Sequence, residues 1–114
     1  MLQISPTTKI FVSLAPINFR NGIDGIARLC HELFEEDPMS GAYFAFRNRK
    51  GTAFKLLYYD GHGYWLCHRR LSQGTLKGWP ATEAEARAMD PQGFMALMWN
   101  AEPQRLKPPW RRVG

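Results

Sequence analysis

A chain of 114 residues is the size of one domain and too short to hold a second independent core. Its 45% apolar and 22% charged residues are ordinary globular values, which exclude disorder and a fibrous repeat. The formal charge of +5 favours an anionic partner such as nucleic acid and says nothing about fold. The opening MLQISPTTKIFV lacks the charged and apolar regions of a secretory signal, and no apolar run approaches the roughly 20 residues of a membrane helix. The expected setting is therefore soluble and cytoplasmic, with no membrane partner. Cys30 and Cys67 stand far apart without CxxC spacing and are expected to be buried thiols.

In chain order, Lys9 to Leu14 (KIFVSL) is a β-prone run ended by Ala15 and Pro16. Asn21 is placed to cap a helix over Gly22 to Glu35, with Asp24 in the first turn facing free backbone amides. Ile26, Leu29, Cys30, Leu33 and Phe34 fall on one helical face, and Asp37-Pro38 is expected to end the helix. A three-stranded meander follows over Ala42 to Arg47, Ala53 to Asp60 and Tyr64 to Leu71. Gly51 and the Asp60-Gly61-His62-Gly63 run supply the turns between its strands. Alternation predicts a core of Phe44 and Phe46 with Phe54, Leu56 and Tyr58, covered by the helix. Ser72 to Pro80 reads as a turn and a short edge strand, and Ala81 to Met89 is ambiguous between helix and strand, with Thr82 as a cap if helical. Asp90-Pro91 starts a short helix carrying Phe94, Leu97 and Met98. The fold class is α+β: a single domain, an antiparallel β-meander covered on one face by a helix, with a short C-terminal helix and a basic tail. The compact domain is expected over residues 1–102 and the Pro-rich tail over 103–114.

The charge is unevenly placed. From Arg47 to Lys77 seven bases (Arg47, Arg49, Lys50, Lys55, Arg69, Arg70 and Lys77) face one acid, Asp60, whereas Ile23 to Asp37 holds five acids against Arg28. Arg105, Lys107, Arg111 and Arg112 make the tail basic as well. Clustered Lys and Arg neutralise phosphates and release counterions, which supplies most non-specific nucleic-acid affinity. Arg47, Arg49, Lys50, Lys55, Arg69, Arg70, Arg111 and Arg112 are therefore the expected contact residues. Tyr43, Tyr59, Trp65 and Trp79 are interleaved with the bases and could stack on nucleotides or belong to the core or its rim.

Catalytic patterns are not found. Cys30-His31 and Cys67-His68 repeat a pair of zinc-ligand types, yet neighbouring side chains of a strand point to opposite faces and cannot both chelate one ion. Asp24, Asp60 and Asp90 are the carboxylates a nuclease would need, and each has a capping or turn role instead. His62 or His68 with Arg69 could serve a small metal-free ribonuclease, an alternative kept in third place. The Gly41 to Phe46 run echoes the RNA-recognition module without its preceding base or its strand order. No catalytic residue, metal site, cofactor or small-molecule substrate is expected.

Two segments, Asn18-Phe19-Arg20-Asn21-Gly22-Ile23-Asp24-Gly25-Ile26 and Asp37-Pro38-Met39-Ser40-Gly41 running on into Phe44-Ala45-Phe46-Arg47-Asn48-Arg49, stand in order with Asp60-Gly61-His62-Gly63, Arg69-Arg70-Leu71 and Trp79-Pro80. Together they resemble the small TnpB-type accessory protein of insertion-sequence-sixty-six type transposable elements, and not the RNA-guided nuclease that shares the name. Arg20, Gly22, Asp24 and Gly25 match the first family motif, Ser40 and Gly41 the second, and Asn18 stands where many members carry aspartate. The resemblance implies a bacterial, non-catalytic accessory of transposition and DNA recombination, with the catalytic acids on a separate transposase. DNA is the expected partner; the alternative is a protein–protein adaptor docking on the transposase or another element-encoded protein, without direct DNA contact.

Overall fold

The computed structural model describes residues 7–99. Its elements are β1 (Ile10–Val12), α1 (Ile23–Phe34), β2 (Tyr43–Arg47), β3 (Ala53–Tyr59), β4 (Tyr64–Arg70), α2 (Glu83–Arg87) and α3 (Pro91–Met98). They build one four-stranded sheet in the order β1-β2-β3-β4. β2, β3 and β4 form the expected antiparallel meander, and β1 joins its edge parallel to β2 after the α1 crossover. The fold is a small single-domain α+β architecture.

Both faces of the sheet are buried, not one. Register decides which residues share a face: Phe44 stands opposite Leu57 and Phe46 opposite Lys55, whereas Leu56 stands opposite Ala45 and Cys67. On one face α1 lays Ile26 and Cys30 over Ala42, Phe44, Phe46 and Leu57. On the other, α3 lays Phe94 and Leu97 over Val12, Tyr43, Ala45, Phe54 and Leu56. The expected core residues are thus real but split, with Phe54, Leu56 and Tyr58 facing α3 and not α1. Burying Phe94 and Leu97 contributes about 1.5 to 3 kcal/mol each. An eight-residue helix, too short to persist alone, is held by that burial.

The local chemistry departs from expectation at three places. Asn21 does not cap α1; Gly22 does, without a side-chain bond, while the Asn21 amide turns back to the Asn18 carbonyl. The helix stops at Phe34, before Asp37-Pro38, because Glu35 takes the left-handed conformation (φ 52°) and the Glu35 and Glu36 N–H groups close on His31 and Cys30 carbonyls. Residues 72–80 form no strand; Trp79 anchors them by donating its indole N–H to the Ser13 carbonyl at 2.8 Å. The ambiguous stretch resolves as α2, closed by a capping box between Thr82 and Glu85 and burying no residue. Asp90 caps α3 through the Gly93 N–H, as expected for Asp-Pro. The tail with Arg111 and Arg112, and the boundary near residue 102, lie outside the described residues.

Candidate nucleic-acid interface

The antiparallel register gathers the meander bases at one end of the sheet. Arg47 ends β2, Asn48 to Thr52 turn into β3, and Arg69 and Arg70 end β4 opposite Phe54 and Ala53. The turn is built chiefly by Asn48 and Gly51. Asn48 accepts the Gly51 N–H on its carbonyl and the Thr52 and Ala53 N–H groups on Oδ1, at 2.9 and 3.1 Å, while Gly51 supplies the positive φ of 68°. The Leu76 N–H then binds the Gly51 carbonyl at 2.7 Å, fixing the tip from outside. Nothing in this geometry requires a base at the two apical positions, yet Arg49 and Lys50 occupy them, both exposed.

The loop into α1 is docked on the same end by Lys55. Although the residue is only 7% exposed, its ammonium donates to the Phe19 carbonyl at 2.9 Å and the Asn21 carbonyl at 2.8 Å and lies 5.1 Å from the centre of the Phe19 ring. Within the loop, Asn18 Oδ1 accepts the Arg20 N–H, and Gly25 leaves room for the Asn21 side chain, which any Cβ there would strike. The first family motif is therefore a self-bonded turn clamped by a buried cation, and it presents Arg20 to solvent beside the basic hairpin.

The expected contact residues divide into two groups. Lys55 is buried and committed. The Arg47 guanidinium donates to the Leu14 and Asn48 carbonyls at 3.3 and 3.4 Å, tying the ends of β1 and β2. Arg69 donates to the Met98 carbonyl at the end of α3. Arg49, Lys50 and Arg70 are exposed, and their side chains meet no acceptor among the described residues. Arg20 joins this second group; its motif was visible in the sequence, but its nearness to the hairpin depends on the Lys55 clamp.

The other singled-out residues lie elsewhere. Ser40 and Gly41 form the turn entering β2 at the opposite end, where the Ser40 N–H reaches the Asp37 carbonyl and Gly41 has φ 91°. Tyr43 is buried and Trp79 half-buried in the α3-side core, Tyr59 packs edge-on against Tyr64, and of the four interleaved aromatics only Trp65 is exposed. Cys30 and Cys67 are free thiols on opposite faces of the sheet and cannot share an ion. Burial pushes the Cys30 thiol up to about 12 and raises that of Cys67, so neither is poised as a nucleophile. His68 packs edge-on to Phe19 on the α1 side while Arg69 points to the α3 side, which separates the pair a ribonuclease would use. Among the described residues no group of three or more His, Cys, Asp or Glu could hold a metal ion, and no helix is long and apolar enough to cross a membrane.

Fold and site together define a small α+β protein with one cation-bearing end. The chain belongs to the IS66 Orf2 like protein family, which it matches over residues 8–108. It is 28% identical to the uncharacterized protein y4hO of Sinorhizobium fredii over the full length of both chains. With y4jC of the same organism it shares 29% identity over 94% of this chain and 91% of that one. No solved structure is a significant match. Membership points to an accessory role in the transposition of insertion sequences, in a family not known as catalytic.

Proposed function

We propose that this protein is a non-catalytic accessory of insertion-sequence transposition that grips DNA phosphates with the basic end of its sheet. The observation carrying this reading is the set of four exposed cations, Arg20, Arg49, Lys50 and Arg70, brought to one end while the cations needed for folding are spent on carbonyls. Cations with no internal acceptor are available for phosphate, and each phosphate neutralised releases counterions. A gel shift on element ends tests it: binding at low salt should weaken steeply as salt rises, and binding that is absent or indifferent to salt sinks the proposal.

One observation favours the adaptor as a second reading. At the far end of α1, Leu33 and Met39 are 48% and 55% exposed among Glu32, Glu35, Glu36 and Asp37. That patch suits a basic, partly apolar protein surface such as a transposase could offer. Co-purification that survives high salt without DNA would favour it.

A further inference from the structure

The loop into α1 and the tip of the β2–β3 hairpin bound an open cleft of about 400 Å3, one wall formed by Pro16 to Phe19 and the other by Asn48 to Lys50. The walls differ in chemistry. The first is largely apolar, with Pro16, Ile17 and Phe19 beside the polar Asn18, and the Phe19 ring is held in place by the Lys55 ammonium and by a T-shaped contact with His68 at 5.5 Å between ring centres. The second carries Arg49 and Lys50, free of internal acceptors. Neither wall can relax away, since the turn is closed by Asn48 and Leu76 and the Ile17 N–H is bonded to the Arg47 carbonyl at 3.0 Å.

A ligand filling this cleft needs a flat apolar part and an anion next to it. A carboxylate-rich peptide would satisfy the cations and leave the apolar wall wet. Duplex DNA presents phosphates outward but keeps its bases stacked inside, so it too would leave that wall bare. We infer that the cleft takes one unpaired nucleotide of a DNA strand, its base against Ile17 and Phe19 and its phosphate between Arg49 and Lys50. This rests on the reading that the basic end meets DNA, and it adds that the protein selects single-stranded over duplex segments. Discrimination among bases is expected to be weak, because stacking is sequence-tolerant and the Asn48 amide is already bonded to Thr52 and Ala53.

The test uses the full chain. A labelled oligothymidylate should bind about tenfold tighter than a duplex of equal length at the same salt, the gain expected of one buried base. Thymidine monophosphate titrated into 15N-labelled protein should move the amide resonances of residues 17–19 and 49–50. Ile17→Ala should lower the ratio of single-strand to duplex affinity to near one, a ratio that any loss of folded protein through the packing of Ile17 on the α1-side core would leave unchanged. Duplex binding with no strand preference and no nucleotide-induced shift at residues 17–19 overturns the cleft assignment and leaves the phosphate-contact reading standing. Failure to bind either form of DNA overturns both, and tighter binding of oligouridylate than of oligothymidylate overturns DNA as the ligand.

Discussion

The two ends of the sheet place their charges on different terms. At the end where β2 and β4 finish, three cations are consumed in joining elements and four stay free. At the other, Glu32, Glu35, Glu36 and Asp37 gather where α1 stops, with Asp60 in the turn nearby. A seven-residue strand spans about 23 Å, more than twice the Debye length at physiological salt, so the ends do not neutralise each other. Helix electrostatics does not explain the acidic end either. Carboxylates at a helix C-terminus oppose the macrodipole by about 0.3 to 1 kcal/mol each. Asp37 and Asp60 accept the N–H groups of their own turns, so the charges with no contact among the described residues are Glu32, Glu35 and Glu36 at one end and the four cations at the other, the groups on which the two proposed readings draw.

The largest effect expected from breaking this contrast is at Lys55. Lys55→Ala leaves the Phe19 and Asn21 carbonyls without their charged donor and should cost about 3 kcal/mol in urea unfolding. Replacing Arg49, Lys50 and Arg70 together by alanine should change stability by less than about 0.5 kcal/mol. The same triple variant should lower the log–log salt slope of DNA binding by about 2 to 3, close to one per lost phosphate contact. If Lys55→Ala were harmless, or the triple variant unfolded, the division into spent and free cations would be wrong.

That division was only partly legible in the sequence. Turns were, because Gly51, Asp60 with its glycines and Asp90-Pro91 act over a few residues, although the part Asn48 plays in the first turn was not read. Facing was not, because alternation assigns faces within a strand while the pairing of β2 with β3 decides which faces coincide, and one step of register moves Leu56 across the sheet. The role of Lys55 had a signal that charge counting passes over: Ala53, Lys55 and Leu57 alternate on one buried face, so a lysine between them has to find acceptors indoors. Arg47 and Arg69 had none. Their carbonyl acceptors, Leu14 and Met98, lie 33 and 29 residues away along the chain. For the same reason the cleft, whose walls are 30 residues apart in sequence by roughly that measure, is a product of the α1 crossover and of no local motif.

A smaller effect is expected at the acidic end. Glu35 pays the steric cost of a left-handed conformation that glycine adopts freely, and its charge sits against the negative end of α1. Glu35→Gly should therefore stabilise the protein by about 1 kcal/mol, visible as a rise in Tm of roughly 4 to 8 °C for a domain of this size. DNA affinity should hold or rise slightly. A fall would mean that the acidic end supports the DNA contact and that the two ends are not independent.

The smallest expected effect tests that independence most directly. Asp60 Oδ1 accepts the His62 and Gly63 N–H groups at 2.8 and 2.9 Å, and Oδ2 accepts the Trp65 indole N–H at 2.9 Å. The His62 N–H, followed by the Trp65 and Gly63 donors, holds its carboxyl below the ordinary value of 3.8. A carboxylate depressed in the folded state contributes stability that is present above its ordinary pKa and lost as the pH falls through the folded value. The wild-type Trp65 indole resonance should therefore stay put at neutral pH and shift only in strong acid, below 3.8. Asp60→Asn keeps an oxygen for the turn N–H groups and puts an NH2 group, which cannot accept, where Trp65 needs an acceptor. In that variant the indole resonance should be displaced already at neutral pH and should no longer respond to acid. Across the whole titration the amides of Arg49 and Lys50, at the far end of β3, should not follow Trp65. Should they move in step with it, the sheet transmits the change from one end to the other, and DNA at the basic end could be sensed at the acidic one.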